Sequence, residues 1–221
     1  MAEATNPEVK NLFSIEVSDL SKRFNREWIF KDLHYTFVSG NTYAITGPNG
    51  SGKSTLLQIL WGQVPPTSGK LAYHYSNKAV EQDVLHHHVA IATPYMDLID
   101  EFTLTEQLKF HFSLRKMRSG LSISEAIERM YLMSAQDKFI GNFSSGMKQR
   151  VKLALAFFTE ADVIFLDEPG TNLDKQAFGW YINELNRLPR EVISIIASNQ
   201  PTEYPENASK IDILSFKPGY R

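Results

Sequence analysis

The sequence predicts an α/β fold with a mainly parallel central sheet, an antiparallel β subdomain near the N-terminus and an inserted helical subdomain. Three observations carry this expectation. Val89-Ala90-Ile91-Ala92 and Val163-Ile164-Phe165-Leu166 are unbroken apolar runs, and Val192 to Ala197 is interrupted only by Ser194. Such runs suit central parallel strands covered on both faces. Thr42-Tyr43-Ala44-Ile45-Thr46 is a further short strand that ends at a glycine-rich loop, after which Lys53 to Trp61 can wind as a helix stopped by Gly62. From about Leu104 to Met133 the pattern turns helical, and Thr103-x-x-Glu106 and Ser122-x-x-Glu125 both read as capping boxes.

Taken in order, the first third reads as strands. Phe13 to Val17, Trp28 to Leu33 and Tyr35 to Val38 mix β-branched and aromatic residues between turn-type residues. One domain is expected over 1–221, with an α/β core at about 1–96 and 148–221 and the helical insert at about 97–147. No repeat or low-complexity stretch points to a solenoid or propeller.

Composition narrows the function classes. The 221 residues are 43% hydrophobic and 22% charged, with 12 Gly and 10 Pro, which is the balance of a globular chain and not of a disordered or collagen-like one. Lys plus Arg is 23 and Asp plus Glu is 25, a net charge of −2 that gives no electrostatic footprint for nucleic acid, so no nucleic-acid partner is expected. The absence of cysteine removes disulfides, thiolate metal sites and cysteine nucleophiles together. Met1-Ala2-Glu3-Ala4-Thr5-Asn6 lacks the basic start and apolar run of a signal peptide. No uncharged apolar stretch approaches the roughly 20 residues that span a bilayer. A soluble chain on the cytoplasmic side is expected.

The chemistry begins at Gly47-Pro48-Asn49-Gly50-Ser51-Gly52-Lys53-Ser54-Thr55, which fits G-x-x-x-x-G-K-S/T in a strand–loop–helix context. Glycines let successive backbone N–H groups turn inward around phosphate oxygens, and the following helix aims its positive end at them. Lys53 can reach β- and γ-phosphates, and the Ser54 hydroxyl can ligate Mg²⁺. At the end of an apolar strand, Asp167 can hold Mg²⁺ directly or through water, and the adjacent Glu168 can polarise a water for attack on the γ-phosphate. The fold is therefore a P-loop NTPase core.

Phe143-Ser144-Ser145-Gly146-Met147-Lys148-Gln149-Arg150, upstream of Asp167-Glu168-Pro169, resembles the signature motif of ATP-binding cassette (ABC) transporter ATPases. In that family the motif starts a helix and binds the γ-phosphate of an ATP held by the other subunit. The resemblance thus makes Ser144, Ser145 and Gly146 ligands of ATP bound to a paired subunit. Gly170-Thr171-Asn172-Leu173-Asp174 is similar to the family's aspartate loop, which crosses the dimer interface. Phe24 falls where the family has an adenine-stacking aromatic; Trp28 is the alternative, and a strand-end core phenylalanine is the plain reading of Phe24. The resemblance covers about Val17 to Asn199, with motifs in the family's order. It implies ATP and Mg²⁺ as cofactors, a homodimer or paired ABC ATPase subunit, a separately encoded membrane permease, and a peripheral location on the cytoplasmic face.

Two positions depart from the pattern. Where the family has Pro-Gln after a central strand, Pro94 is followed by Tyr95; where it has a switch histidine, Ser198 is followed by Asn199. A tyrosine lacks the amide oxygen that helps hold Mg²⁺ and water, and an asparagine can donate to the γ-phosphate without carrying positive charge. Slow hydrolysis is the expectation, with Glu168 and Asn199 as the catalytic pair. The Ser144-Ser145-Gly146-Met147 form resembles exporter-type members. A non-transport ATP switch and a weakly hydrolysing regulator are the competing functions.

Other features carry less. His86-His87-His88 reads as a polar strand entrance and not a metal site, since only His86 and His88 would share a strand face. Asn77-Lys78-Ala79-Val80 lacks the aspartate of a guanine-recognition motif, which argues against a GTPase. Arg115, Lys116 and Arg118 read as the solvated end of the first insert helix, with a membrane-surface or permease contact as the alternative. Tyr95, Asp97, Phe102 and Phe110 mark the front of the insert, where the resemblance places permease docking.

Overall fold

The computed structural model describes residues 12–219. The N-terminal hexapeptide read above for a targeting signal lies outside them. Among the described residues nine strands form two sheets: β1 (Phe13–Phe24), β2 (Glu27–Val38), β3 (Thr42–Thr46), β4 (Ser68–Tyr75), β5 (Lys78–Ala79), β6 (Val89–Ala92), β7 (Val163–Asp167), β8 (Ile193–Ala197) and β9 (Ser209–Asp212). The helices are α1 (Lys53–Leu60), α2 (Leu104–Leu114), α3 (Ile123–Arg129), α4 (Ser145–Phe158) and α5 (Lys175–Asn186).

The central sheet has the order β6-β7-β8-β3-β9 and is parallel throughout. Every residue of β7 and β8 is buried, as the apolar runs require. Their side chains alternate between two cores. Val163, Phe165, Ile193 and Ile195 pack with α1 and the antiparallel sheet, whereas Ile164, Leu166 and Ile196 pack with α4 and α5. Asp167 shares the parity of Val163 and Phe165, so the strand delivers its carboxylate to the α1 side.

The antiparallel sheet has the order β2-β1-β4-β5. Sequence patterning splits what the structure shows as one continuous β2, and it ends β1 at Val17 where the strand runs on to Phe24. The reason is a bulged stretch: Asp19 and Asp32 adopt positive φ of 50° and 55°, and the pairing register slips between Val17 and Leu20. Ser21 Oγ accepts from the Asp32 N–H at 2.9 Å, which bridges the irregular ladder. The alternation that marks a strand is lost there although the strand continues.

Between β6 and α4 lie α2 and α3. Both capping boxes form: Glu106 N donates to Thr103 Oγ1 at 3.2 Å while Thr103 N donates to Glu106 Oε2 at 2.8 Å, and Ser122 with Glu125 repeats the pattern. Two expectations in this region are corrected. Arg115 and Arg118 are not a solvated helix end: Arg115 donates to Val89 O at 2.8 Å, and Arg118 donates to Phe157 O and Thr159 O at 3.1 Å each. They tie the insert to the central sheet and to the end of α4, and burial lowers the pKa of both. Only Lys116 stays exposed, paired with Glu160 at 2.7 Å. His86 and His87 sit in a 3-10 turn, Leu85–His87, and not on a strand; His88 Nδ1 lies 2.7 Å from Asp162 Oδ2. Among the described residues no group of three or more His, Asp or Glu could hold a metal, and no helix is long and apolar enough to cross a membrane.

Candidate functional site

Three neighbouring strands of the parallel sheet, β7, β8 and β3, run in one direction and release their loops at one edge. The loop after β3 is Gly47–Gly52, that after β7 starts at Glu168, and that after β8 starts at Ser198. Open parallel sheets bind ligands at this carboxyl edge.

The Gly47–Gly52 loop wraps the start of α1. Gly52 holds φ 109°, and a Cβ there would collide with Ile29 Cγ2 of β2, so only glycine lets the loop enter the helix at this point. No acidic residue occupies the first turn of α1, which leaves its positive end uncompensated. Lys53 is 4% exposed, and its Nζ donates to Gly47 O at 2.9 Å and Pro48 O at 3.1 Å. An ammonium has three donors, so one remains for a phosphate oxygen. Ser51 Oγ is buried with no hydrogen-bond partner, while Pro48, Asn49 and Gly50 are exposed around it. Ser54 and Thr55 follow in the first turn of α1, both half-buried.

Asp167 is 2% exposed and its Oδ1 has no partner. Burial pushes its carboxyl above the ordinary aspartate range and Glu168 adds to this, while the Ser54 hydroxyl and Lys53 oppose it. A buried carboxylate oxygen lacking a donor, beside a hydroxyl and opposite a phosphate loop, is the hard-oxygen donor set that suits Mg²⁺. Glu168 has φ 45° and its N–H donates to Ala197 O at 2.9 Å, so the acid is half-buried at the very end of the β7–β8 ladder. Asn199 reaches back across the sheet edge: its Nδ2 donates to Asn49 Oδ1 at 3.0 Å. Lys53, Ser54, Asp167 and Glu168 therefore lie together, and Asn199 meets Asn49 of the same loop.

Ser144 is the N-cap of α4, its Oγ accepting from Met147 N at 3.2 Å. The N–H groups of Ser145 and Gly146 precede the first helical bond, from Lys148 N to Ser144 O at 2.9 Å. Ser144 and Ser145 are exposed, and the first turn of α4 carries no acid. A Cβ on Gly146 would come within 2.7 Å of Asn172 O, so the helix start packs on the 170–174 loop. Asp174 does not point free of that loop: it caps α5, its Oδ1 accepting from Ala177 N at 2.8 Å.

Phe24 stands at the β1–β2 turn, 48% exposed, with Lys22 Nζ 4.7 Å from its ring centre. Trp28 is half-buried between Arg23 and Lys31, and precedes the Ile29 that meets Gly52. Tyr95 is 80% exposed. The segment carrying it is strapped to α4: Lys152 Nζ donates to Pro94 O, and Lys148 Nζ pairs with Asp100, each at 2.7 Å.

Several residues of the site escape sequence reading. Gln149 is buried and donates to Pro169 O at 3.1 Å, joining α4 to the loop after Glu168. Glu203 is buried beside Gly170. Gln149 lies inside the signature stretch without a distinguishing pattern. Glu203 is a lone acid after Pro201, with no motif spacing that separates it from a surface turn.

The site is that of a nucleoside-triphosphate-binding α/β protein. The family model described as ABC transporter matches residues 30–171. The chain belongs to the ABC transporter family, whose ATPase members hydrolyse ATP. It is 29% identical over 190 residues to the uncharacterized ABC transporter ATP-binding protein YybJ of Bacillus subtilis, covering 86% of each chain. It is 30% identical over 215 residues to the sulfate/thiosulfate import ATP-binding protein CysA of Photorhabdus laumondii, covering 91% of this chain and 58% of that protein. The chain therefore spans little more than half the length of that curated relative. A putative ABC transporter ATP-binding protein from Pyrococcus furiosus shares the fold, with a TM-score of 0.76 at 22% identity, over 92% of this chain and 99% of that one.

Proposed function

We propose that the chain is an ATPase subunit that powers a separately encoded membrane permease from the cytoplasmic face, with two copies pairing head to tail around two ATP molecules. The observation that carries this is the convergence of Lys53, Asp167–Glu168 and Asn199 at one edge of three adjacent parallel strands. The whole chain acts as one domain, with residues of about 97–147 as its helical insert.

In this reading the N–H groups of Gly47, Asn49, Gly50, Ser51, Gly52, Lys53, Ser54 and Thr55 cradle the triphosphate, and Lys53 supplies the side-chain cation. Ser54 and Asp167 would hold Mg²⁺, whose charge would neutralise phosphate oxygens. Phe24 stacks on the base. Glu168 accepts a proton from the attacking water, and Asn199 donates to the γ-phosphate. An exposed phosphate loop and an exposed α4 start on one chain are two complementary halves of a head-to-tail pair. Ser144, Ser145 and Gly146 then meet the ATP of the partner copy. Closure on ATP and opening after hydrolysis move the permease between two states of access.

The front of the insert docks the permease. Tyr95 and Phe110 are exposed there, and Phe102 meets Phe110 edge to face at 5.6 Å. Lys148 and Lys152 tie this loop to α4, so a shift of the signature helix is felt at the docking patch. Export is the direction favoured by the Ser144-Ser145-Gly146-Met147 form; import is a second reading, favoured by the name of the sulfate/thiosulfate relative. Assay of ATPase activity and co-purification with a candidate multi-span membrane protein, sought first among the neighbouring genes, tests the proposal. Stimulated turnover in the joint complex is expected, and transport by vesicles carrying both proteins fixes its direction. No association and no stimulation would contradict it.

A further inference from the structure

Glu203 ends a one-turn 3-10 helix, Pro201–Glu203, that follows the Asn199 loop. Its side chain is 1% exposed, and Oε2 has no hydrogen-bond partner. The other oxygen lies so close to Gly170 that a Cβ there would overlap it. Burial first and then the Glu168 charge hold the carboxyl above the usual glutamate range, opposed by the nearby Ser198 hydroxyl, the Gly170 N–H and Lys53. The Glu203 backbone is fixed separately, by the buried Tyr181 hydroxyl donating to its carbonyl from α5.

Burying an acid without a full complement of donors costs stability. A side chain kept there for packing alone would be replaceable by an apolar one of similar size at little loss. What this carboxyl does is join two segments. One is the loop after β7, which it meets at Gly170, two residues beyond Glu168; the other is its own turn after β8, four residues beyond Asn199. The first is also held by Glu168 N donating to Ala197 O and by Gln149 donating to Pro169 O, but neither bond grips the loop that carries Asn199.

We infer that Glu203 is a positioning residue for ATP hydrolysis: its carboxyl, seated against Gly170, clamps the loop after Glu168 to the segment that follows Asn199 and so sets the spacing between Glu168 and Asn199. The inference rests on the roles proposed above for those two residues. The clamp acts on the geometry of the attacking water relative to the γ-phosphate and touches neither ATP nor Mg²⁺. Its loss therefore lowers kcat and leaves ATP affinity in place.

The test compares wild type, Glu203→Leu and Glu203→Gln in the full chain, reading steady-state kcat and KM, and ATP affinity by calorimetry. Leu fills the volume without an acceptor; Gln keeps an acceptor oxygen toward Gly170. For Glu203→Leu, kcat is expected to fall by about 10- to 100-fold, the scale of an ångström-level misplacement, with ATP affinity held within about threefold. Glu203→Gln should recover most of the lost turnover. Equal losses in kcat and affinity, or wild-type turnover in Glu203→Leu, would overturn the inference. If Glu203→Leu does not fold, Gly170→Ala carries the test, because its Cβ displaces the same carboxyl, and the same split between kcat and affinity is expected. Lys53→Ala in parallel separates the two levels. Retained ATP binding in that variant would overturn the site assignment itself, whereas lost binding in it, with an unchanged Glu203→Leu, overturns only the clamp.

Discussion

Asn199 donates from Nδ2 to Asn49 Oδ1 at 3.0 Å, so the residue at the switch position rests on the phosphate loop itself. The contact places Asn199 at the mouth of the loop, near where a γ-phosphate would lie. It also shows what the position lacks: an amide gives a hydrogen bond but no charge. Asn199→His is expected to raise single-turnover hydrolysis at saturating ATP, by at most about 100-fold, because one charged donor is restored near the transition state. A wild-type rate already near about 1–100 s⁻¹, typical of efficient phosphoryl transfer, with no gain in the variant, would show that the uncharged donor suffices.

Lys53 is nearly buried and touches only loop carbonyls besides its open donor. Lys53→Ala removes the side-chain cation proposed for the cradle and is expected to abolish ATP binding in calorimetry. Near-normal affinity would remove the loop from its assigned role.

The cap of α2 is local and testable by unfolding. Thr103→Ala loses the bond from Glu106 N, and is expected to lower stability by about 1 kcal/mol in urea denaturation. The partner carboxylate adds a pH signature. Glu106 is held below its usual range first by the Thr103 N–H and then by the Thr103 hydroxyl. A lowered native pKa means that this contribution is complete above the unfolded-state pKa and is lost as pH falls through the native one. The difference between wild type and Thr103→Ala should therefore narrow in acid. A constant difference across that range would show that the carboxylate plays no part.

Phe102 packs edge to face on Phe110 at the front of the insert. Phe102→Ala is expected to weaken co-purification with the permease while basal ATP hydrolysis by the isolated chain is kept. Intact association and transport would place the docking patch elsewhere.

Much of this was legible in the sequence. β3 and β7 coincide with the apolar runs read for them, since a central parallel strand must be apolar on both faces, whereas the run Val89–Ala92, read as a central strand, forms β6 at the edge of the sheet. Both capping boxes were readable because the cap is made by residues three apart. The extended β1 and β2 were not, because the bulge around Asp19 and Asp32 breaks alternation without breaking the ladder. Arg115 and Arg118 misled for a related reason: their partners are backbone carbonyls distant in sequence, and a composition reading gives such arginines to solvent. Glu203 and Gln149 were illegible on the same ground, since what defines each is contact with the loop after Glu168, a relation that exists only once β7, β8 and α4 are assembled.

Asp167, the last residue of β7, and Glu168, the first after it, are the proposed metal holder and water activator of an ATPase that pairs on ATP. Glu168→Gln with MgATP tests these roles most directly, by light scattering and turnover on one sample. ATP binding is expected to be kept, hydrolysis nearly stopped and an ATP-dependent dimer to accumulate. Unchanged turnover together with a chain that stays monomeric in ATP would contradict it.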